Sequence, residues 1–209
     1  MSVKVKICGV RRREDALCAA AAGADLIGLN FWPGTPRCVS VEAAREIAEA
    51  VRRRVQIVAL FVDAPGDEVL ATAEAVGADY VQLHGAESAE FVRGLGERRV
   101  IKAFRVESPP DVDRLAGFPA EVYLLDARVR GMKGGTGRTI DWELARKAAA
   151  HGRILLAGGL TAENVAEAVR IARPWGVDTA SGVELEPGVK DPDKIRRFVD
   201  NAKACEEEP

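Results

Sequence analysis

A thiol, a carboxylate, two late glycine turns and one loop arginine are the groups in this 209-residue chain whose types and spacing could do chemistry. Cys8 closes the run Val3-Lys4-Val5-Lys6-Ile7, which is β-branched and alternating, and reads as a strand despite its lysines. Gly9 ends that strand, and the charged run from Arg11 to Asp15 opens a helix. A thiol at the loop-facing end of a strand could remove a proton or attack a carbon, although a free cysteine also packs as a small hydrophobe. Asp126 closes a later strand in the same way, so a small substrate could sit between an acid and a base. Lys6 points to the same side as Cys8 by strand alternation and is a candidate partner for such a carboxylate. Asp178 and His84 add polar groups near the same rim, with a purely structural role open for the histidine.

Two glycine-bearing turns follow the last two strands. Ala157-Gly158-Gly159-Leu160-Thr161 and Ala180-Ser181-Gly182-Val183 could bind phosphate through bare backbone N–H groups, because no side chain blocks the anion's approach. Each could equally be a tight turn needing positive φ. Arg37, in Thr35-Pro36-Arg37 after the second strand, could fork a carboxylate. The run Gly131 to Gly137 is neither a Walker loop, since Lys133 precedes Gly134 where Ser or Thr is required, nor a complete G-x-G-x-x-G. Its Gly134, Gly135, Thr136 and Gly137 read as a lid over the site, or as a plain surface loop.

The elements that must position these groups alternate from end to end. Strands are expected at 3–8, 26–31, 56–62, 80–83, 100–105, 122–126, 154–157 and 176–180. Ser40 is placed to cap a helix with Val41, Ala44, Ile47, Ala48 and Val51 on one face. Thr161 is placed to cap another, with Leu160 and Val165 as a hydrophobic staple. A last helix runs from Pro192 to about Cys205. Gly23-Ala24-Asp25 and Gly77-Ala78-Asp79 echo each other two units apart, as a helix C-terminal cap followed by the start of a strand. Eight units of about 26 residues predict one α/β domain over residues 1–209, a (β/α)8 barrel with eight parallel strands; an open doubly wound sheet is the rival.

Composition bounds the partners. Hydrophobic residues at 47%, charged residues at 30% and a net charge of -2 describe an ordinary globular domain without the basic excess that nucleic acid requires. No apolar run is long enough to span a bilayer, and no apolar leader follows Met1. Four scattered cysteines without a C-x-x-C pair and only two histidines argue against disulfides and a zinc site of usual spacing. The expected setting is the cytoplasm, with no membrane and no metal.

In their joint order, these pieces resemble the phosphoribosylanthranilate isomerases of tryptophan biosynthesis. The matching segments are Lys6-Ile7-Cys8-Gly9, Gly28-Leu29-Asn30-Phe31 with Pro36-Arg37, Val81-Gln82-Leu83-His84-Gly85, Leu124-Leu125-Asp126, Gly134-Gly135-Thr136-Gly137, Ala157-Gly158-Gly159-Leu160, and Val177-Asp178 with Ser181-Gly182-Val183-Glu184. Thr35 stands where serine is usual, and Cys38 where an aromatic is usual. The resemblance implies an Amadori rearrangement of a phosphosugar without cofactor, in a monomer or homodimer. It makes Asp126 the general acid and Cys8 the general base. Arg37 would hold the substrate carboxylate, with His84 and Asp178 also lining the substrate, and Gly158, Gly159, Ser181 and Gly182 the phosphate.

That chemistry sets two demands. A thiol of pKa ~8.5 is only ~3% thiolate at pH 7, so the site must lower its pKa or meet a cost of about 2 kcal/mol. Positive charge from Lys6, or from a protonated His84, could help. Asp126 must instead be protonated to act as an acid. A related sugar-phosphate barrel such as indole-glycerol-phosphate synthase, a Schiff-base aldolase using Lys6 or Lys102, and a non-catalytic phosphosugar-binding barrel are the competing readings. Lys102 lies mid-strand, and a binding module would not need Cys8 opposite Asp126.

Overall fold

The computed structural model of the chain describes residues 2–126 and 141–204. Eight parallel strands close in chain order: β1 (Lys4–Cys8), β2 (Leu26–Asn30), β3 (Gln56–Phe61), β4 (Tyr80–Leu83), β5 (Val100–Arg105), β6 (Val122–Asp126), β7 (Arg153–Leu156) and β8 (Gly176–Thr179), with β8 pairing back onto β1. Every expected strand is present within a residue or so of its expected bounds, and closure excludes the open sheet. The helices are α1 (Arg13–Ala21), α2 (Val41–Val51), α3 (Gly66–Ala75), α4 (Ala89–Gly94), α5 (Pro109–Asp113), α6 (Trp142–Ala148), α7 (Val165–Ala172) and α8 (Pro192–Ala204). This is a single-domain (β/α)8 barrel with one addition that the sequence pattern did not reveal. A small antiparallel hairpin, β9 (Glu184–Glu186) and β10 (Val189–Lys190), stands between β8 and α8.

Strand alternation divides the core in two. Val5, Ile7, Ile27, Leu29, Ile57, Ala59, Val81 and Leu83 point outward into the large core shared with the helices. Leu26, Val58, Tyr80, Ile101, Val122, Leu124 and Leu155 point inward and fill the barrel. The amphipathic helices complete the outer layer: α2 buries Ala44, Ile47, Ala48 and Val51, and α7 buries Val165, Ala168, Val169 and Ala172. At the amino end of the barrel, Arg99 lies 3.9 Å over the Tyr80 ring, also contacts its hydroxyl, and forks Glu121, which Arg153 meets as well.

Two local readings hold, and one changes. Ser40 Oγ accepts the Ala43 N–H at 3.2 Å and caps α2 as expected. Thr161, however, does not cap α7. Asn164 accepts the Thr161 N–H at 2.9 Å and donates to the Gly159 carbonyl at 3.0 Å, so a turn intervenes and the helix begins at Val165. The repeated Gly-Ala-Asp units stitch neighbouring strands. Asp25 accepts the Val5 N–H at 3.0 Å and Asp79 the Ile57 N–H at 2.7 Å, each after a positive-φ glycine that stops the preceding helix.

Asp25 also meets Lys4 at 2.8 Å and Lys203 at 3.2 Å. Burial raises its pKa, but Lys4, the Val5 N–H and Lys203 outweigh that and hold it below the usual carboxylate value. A depressed carboxylate adds stability above its unfolded pKa and loses it as pH falls through its folded pKa. Asp25→Asn should therefore lower stability by about 1–2 kcal/mol at pH 7, with the gap from wild type closing below about pH 4. Urea unfolding at both pH values checks this; a gap that does not depend on pH contradicts it.

Candidate active site

The first side chain to account for at the carboxyl ends of the strands is Lys6, fully buried inside the barrel. An isolated ammonium there would be costly, and register supplies its partner: Lys6 pairs with Asp178 across the β1–β8 ladder, and Nζ donates to Oδ1 at 2.8 Å. The lysine's partner is thus Asp178, not Asp126 as strand ends alone suggested. Cys8, two residues on and also buried, faces the same ammonium. Room for both comes from Gly28, which pairs with Cys8 on β2. A Cβ there would lie 2.9 Å from the Cys8 sulfur and 3.1 Å from Lys6 Nζ.

This cluster sets the protonation states. Burial opposes the Lys6 ammonium, but Asp178 and Cys8 outweigh it, and its pKa rises. For Cys8, burial pushes the thiol up; Lys6 and Lys190 pull it down, Asp178 adds to the rise, and the net shift is upward. Of the two alternatives, a lowered thiol pKa or a cost of ionisation, the resting site has the second. Desolvation of a thiolate outweighs two nearby ammoniums when a carboxylate sits beside them.

A second cluster forms between β4 and β6. Gln82, wholly buried, has its amide Nε2 3.2 Å from His84 Nδ1, and His84 Nε2 faces Asp126 Oδ2 at 3.5 Å. The loop carrying His84 is braced from below by Lys102, which projects outward rather than into the barrel. It donates to the Gly85 carbonyl at 2.7 Å and meets Glu87 at 3.0 Å, so it is not available for a Schiff base in the barrel. In the closed strand order, Asp126 on β6 and Cys8 on β1 are separated by β7 and β8, as expected.

Arg37 lies over the end of β1. Gly9, at φ +70, accommodates its stem, for a Cβ there would be 2.6 Å from Arg37 Cδ. Its fork is engaged in a way that sequence reading missed: Nε and Nη2 donate to the two Glu184 oxygens at 2.8 and 2.6 Å. The Thr35 hydroxyl accepts the Arg37 N–H at 3.4 Å, filling the turn role open to serine, and Cys38 bridges β2 at Asn30. The two glycine turns meet each other. Gly158 and Gly159 take φ of +84 and +67, whereas Gly182 is glycine for closeness: a Cβ would lie 2.0 Å from the Leu160 carbonyl. Thr179, also missed, ties the turns together by donating to that carbonyl at 2.8 Å. Ser181 opens a 3-10 turn, Ser181–Val183. Gly134, Gly135, Thr136 and Gly137 lie outside the described residues.

A closed parallel barrel whose buried ionisable groups gather where its strands end is a (β/α)8-barrel enzyme. The family model for N-(5'phosphoribosyl)anthranilate (PRA) isomerase matches residues 5–201. A relative from Geobacter sp. (strain M21) with the name N-(5'-phosphoribosyl)anthranilate isomerase is 51% identical over 200 residues, covering 96% of this chain and 98% of its own. The crystal structure of phosphoribosyl anthranilate isomerase from Thermotoga maritima superposes with a TM-score of 0.90 at 40% identity, over 97% of this chain and 99% of that one. A phosphoribosyl anthranilate isomerase solved in complex with reduced 1-(o-carboxyphenylamino)-1-deoxyribulose 5-phosphate superposes at 0.87 with 38% identity, over 97% and 99%. The chain belongs to the N-(5'-phosphoribosyl)anthranilate isomerase family, and it is an isomerase of tryptophan biosynthesis.

Lys6→Met should strand the Asp178 carboxylate in the barrel and cost about 3–5 kcal/mol. The double variant Lys6→Met/Asp178→Asn, with no unpaired charge, should recover most of that loss. Denaturant unfolding of wild type, Lys6→Met, Asp178→Asn and the double variant decides it: additive losses would mean the two groups are not coupled.

Proposed function

We propose that this barrel catalyses the Amadori rearrangement of N-(5'-phosphoribosyl)anthranilate to 1-(2-carboxyphenylamino)-1-deoxyribulose 5-phosphate, with Asp126 as general acid and Cys8 as general base. The observation that carries this reading is the Lys6–Asp178 ion pair beside a buried thiol at the end of β1, with Asp126 on the far side of β7 and β8. The relative solved with a reduced product analogue supports the substrate class.

Asp126 protonates the furanose oxygen; the C1–O bond breaks, and the ring opens to an imine. Cys8 removes the C2 proton, giving an enolamine. Tautomerisation to the ketone puts a proton on C1 and takes one from the C2 hydroxyl, so the reaction is a net isomerisation. His84 orients Asp126 from its Nε2 side. Asp178 acts on substrate and on Lys6, and Lys6 balances negative charge on the sulfur. The phosphate sits on the joined turns at Gly158, Gly159, Ser181 and Gly182, where glycine backbone leaves room for an anion. Arg37 holds the anthranilate carboxylate.

Residues 1–209 act as one catalytic domain, as monomer or homodimer. The reaction draws on no cofactor, and neither nucleic acid nor a membrane surface is a partner. The cytoplasm suits unpaired thiols at Cys8, Cys18 and Cys38 and a small-molecule substrate.

Cys8→Ala and Asp126→Asn should each reduce kcat by at least ~10²-fold with the fold retained by circular dichroism; near-normal turnover in either removes that residue from its role. Arg37→Ala should act mainly on KM. Asp126 must be protonated while Cys8 is ionised, so the two dependences offset each other in the wild type. In Asp126→Asn, which removes the acid's titration, the residual kcat/KM should climb about tenfold per pH unit on the low side of the raised Cys8 pKa. A profile flat from pH 6 to 9 in that variant would contradict thiolate catalysis.

A further inference from the structure

The geometry points to Glu184 and Lys190 as positioning residues that make Arg37 a one-sided receptor for the substrate carboxylate. This rests on the reading that Arg37 holds that carboxylate. The unexplained feature is that the proposed receptor is already engaged. Glu184 takes Arg37 Nε and Nη2 in a two-point fork, at 2.8 and 2.6 Å. A guanidinium has five N–H donors in one plane. The fork uses one edge, and both N–H groups of Nη1 and the second of Nη2 remain on the other.

An arginine neutralised by a glutamate would attract a second carboxylate poorly, and here Lys190 changes the balance. It is buried, pairs with Glu184 across the β9–β10 hairpin, and its Nζ donates to Glu184 Oε1 at 3.0 Å and to the Ala180 carbonyl at 2.9 Å. Burial lowers the Lys190 pKa and Glu184 counters it; with Lys190 protonated, two cations share one carboxylate and the triad carries a net positive charge. Glu184 is buried as well; burial favours its neutral form, but Arg37 and Lys190 together hold its pKa below the ordinary value, so it stays ionised. The Arg37 stem is fixed independently by its passage across Gly9. Stem and one edge are thus both held, and the free edge has a single direction. Glu184 supplies orientation, and Lys190 supplies the charge that this orientation would otherwise remove.

Charge alone and orientation predict opposite signs for Glu184→Gln, which gives the test. Two competitive ligands are titrated by calorimetry: the reduced product analogue bearing the ring carboxylate, and its phenylamino counterpart lacking it. Wild type should prefer the carboxylate-bearing ligand, and Arg37→Ala should abolish that preference; if it does not, the underlying reading of Arg37 fails, whatever the other variants do. With that control met, Glu184→Gln should weaken the carboxylate-bearing ligand at least fivefold and Lys190→Met at least tenfold. The phenylamino ligand should change less than threefold in both. Tighter carboxylate binding in Glu184→Gln would overturn the inference and mark Glu184 as a competitor for Arg37. Equal weakening of both ligands would also overturn it, as the mark of a merely structural pair. Should Lys190→Met fail to fold, the sign in Glu184→Gln decides alone.

Discussion

One buried charge organises this molecule. Lys6 has its ammonium inside the barrel, where only a neighbouring strand can neutralise it, and the β1–β8 register delivers Asp178 to within 2.8 Å. That pairing lies at the seam where the first strand meets the last, so a buried ion pair and the closure of the barrel coincide. Gly28 follows from the same requirement, since any side chain there would take the space of the ammonium and the sulfur. The price is a weak contribution to stability, because desolvating both ions offsets most of their attraction. The gain is a thiol held in a field that it could not find in water.

The direction of that field matters. A thiol beside a lysine invites the expectation of a ready-made thiolate, yet burial and Asp178 together outweigh Lys6 and Lys190. The resting group is a protonated thiol, and its basicity once ionised is correspondingly higher than that of a strongly acidified cysteine. For abstraction of a carbon-bound proton, a stronger base present in smaller amount is a workable arrangement. On the other side of the barrel, Gln82 and Asp126 meet the His84 ring at its two nitrogens. Among the described residues, the Lys6 and His84 clusters have strands β7 and β8 between them on one side.

Much of this was legible in sequence because it is local. The strands follow from alternation and β-branching, the α2 start from Ser40, and the Gly-Ala-Asp repeats from a glycine cap followed by an aspartate at the entry of a strand, where it accepts an N–H of the preceding strand. The placement of Cys8, Asp126, Asp178 and His84 at strand ends needed only the strand bounds. What escaped reading depends on partners far apart in the chain: Arg37 with Glu184, Lys6 with Asp178, Thr179 with Leu160. Glu184 and Lys190, in a charged stretch, look like surface residues until the hairpin turns both inward. The Thr161 cap failed for a related reason, since a downstream asparagine, Asn164, captured the turn.

The central claim is that burial, with Asp178, outweighs Lys6 and Lys190 and holds Cys8 as a thiol of raised pKa in the resting enzyme. Cysteine labelled with 13C at Cβ reports ionisation through its carbon shift, and the Cys8 resonance is assigned by its loss in Cys8→Ala. Followed from pH 6 to 11, that resonance should titrate above the ~8.5 of a free cysteine. Titration at or below the free value would contradict the account.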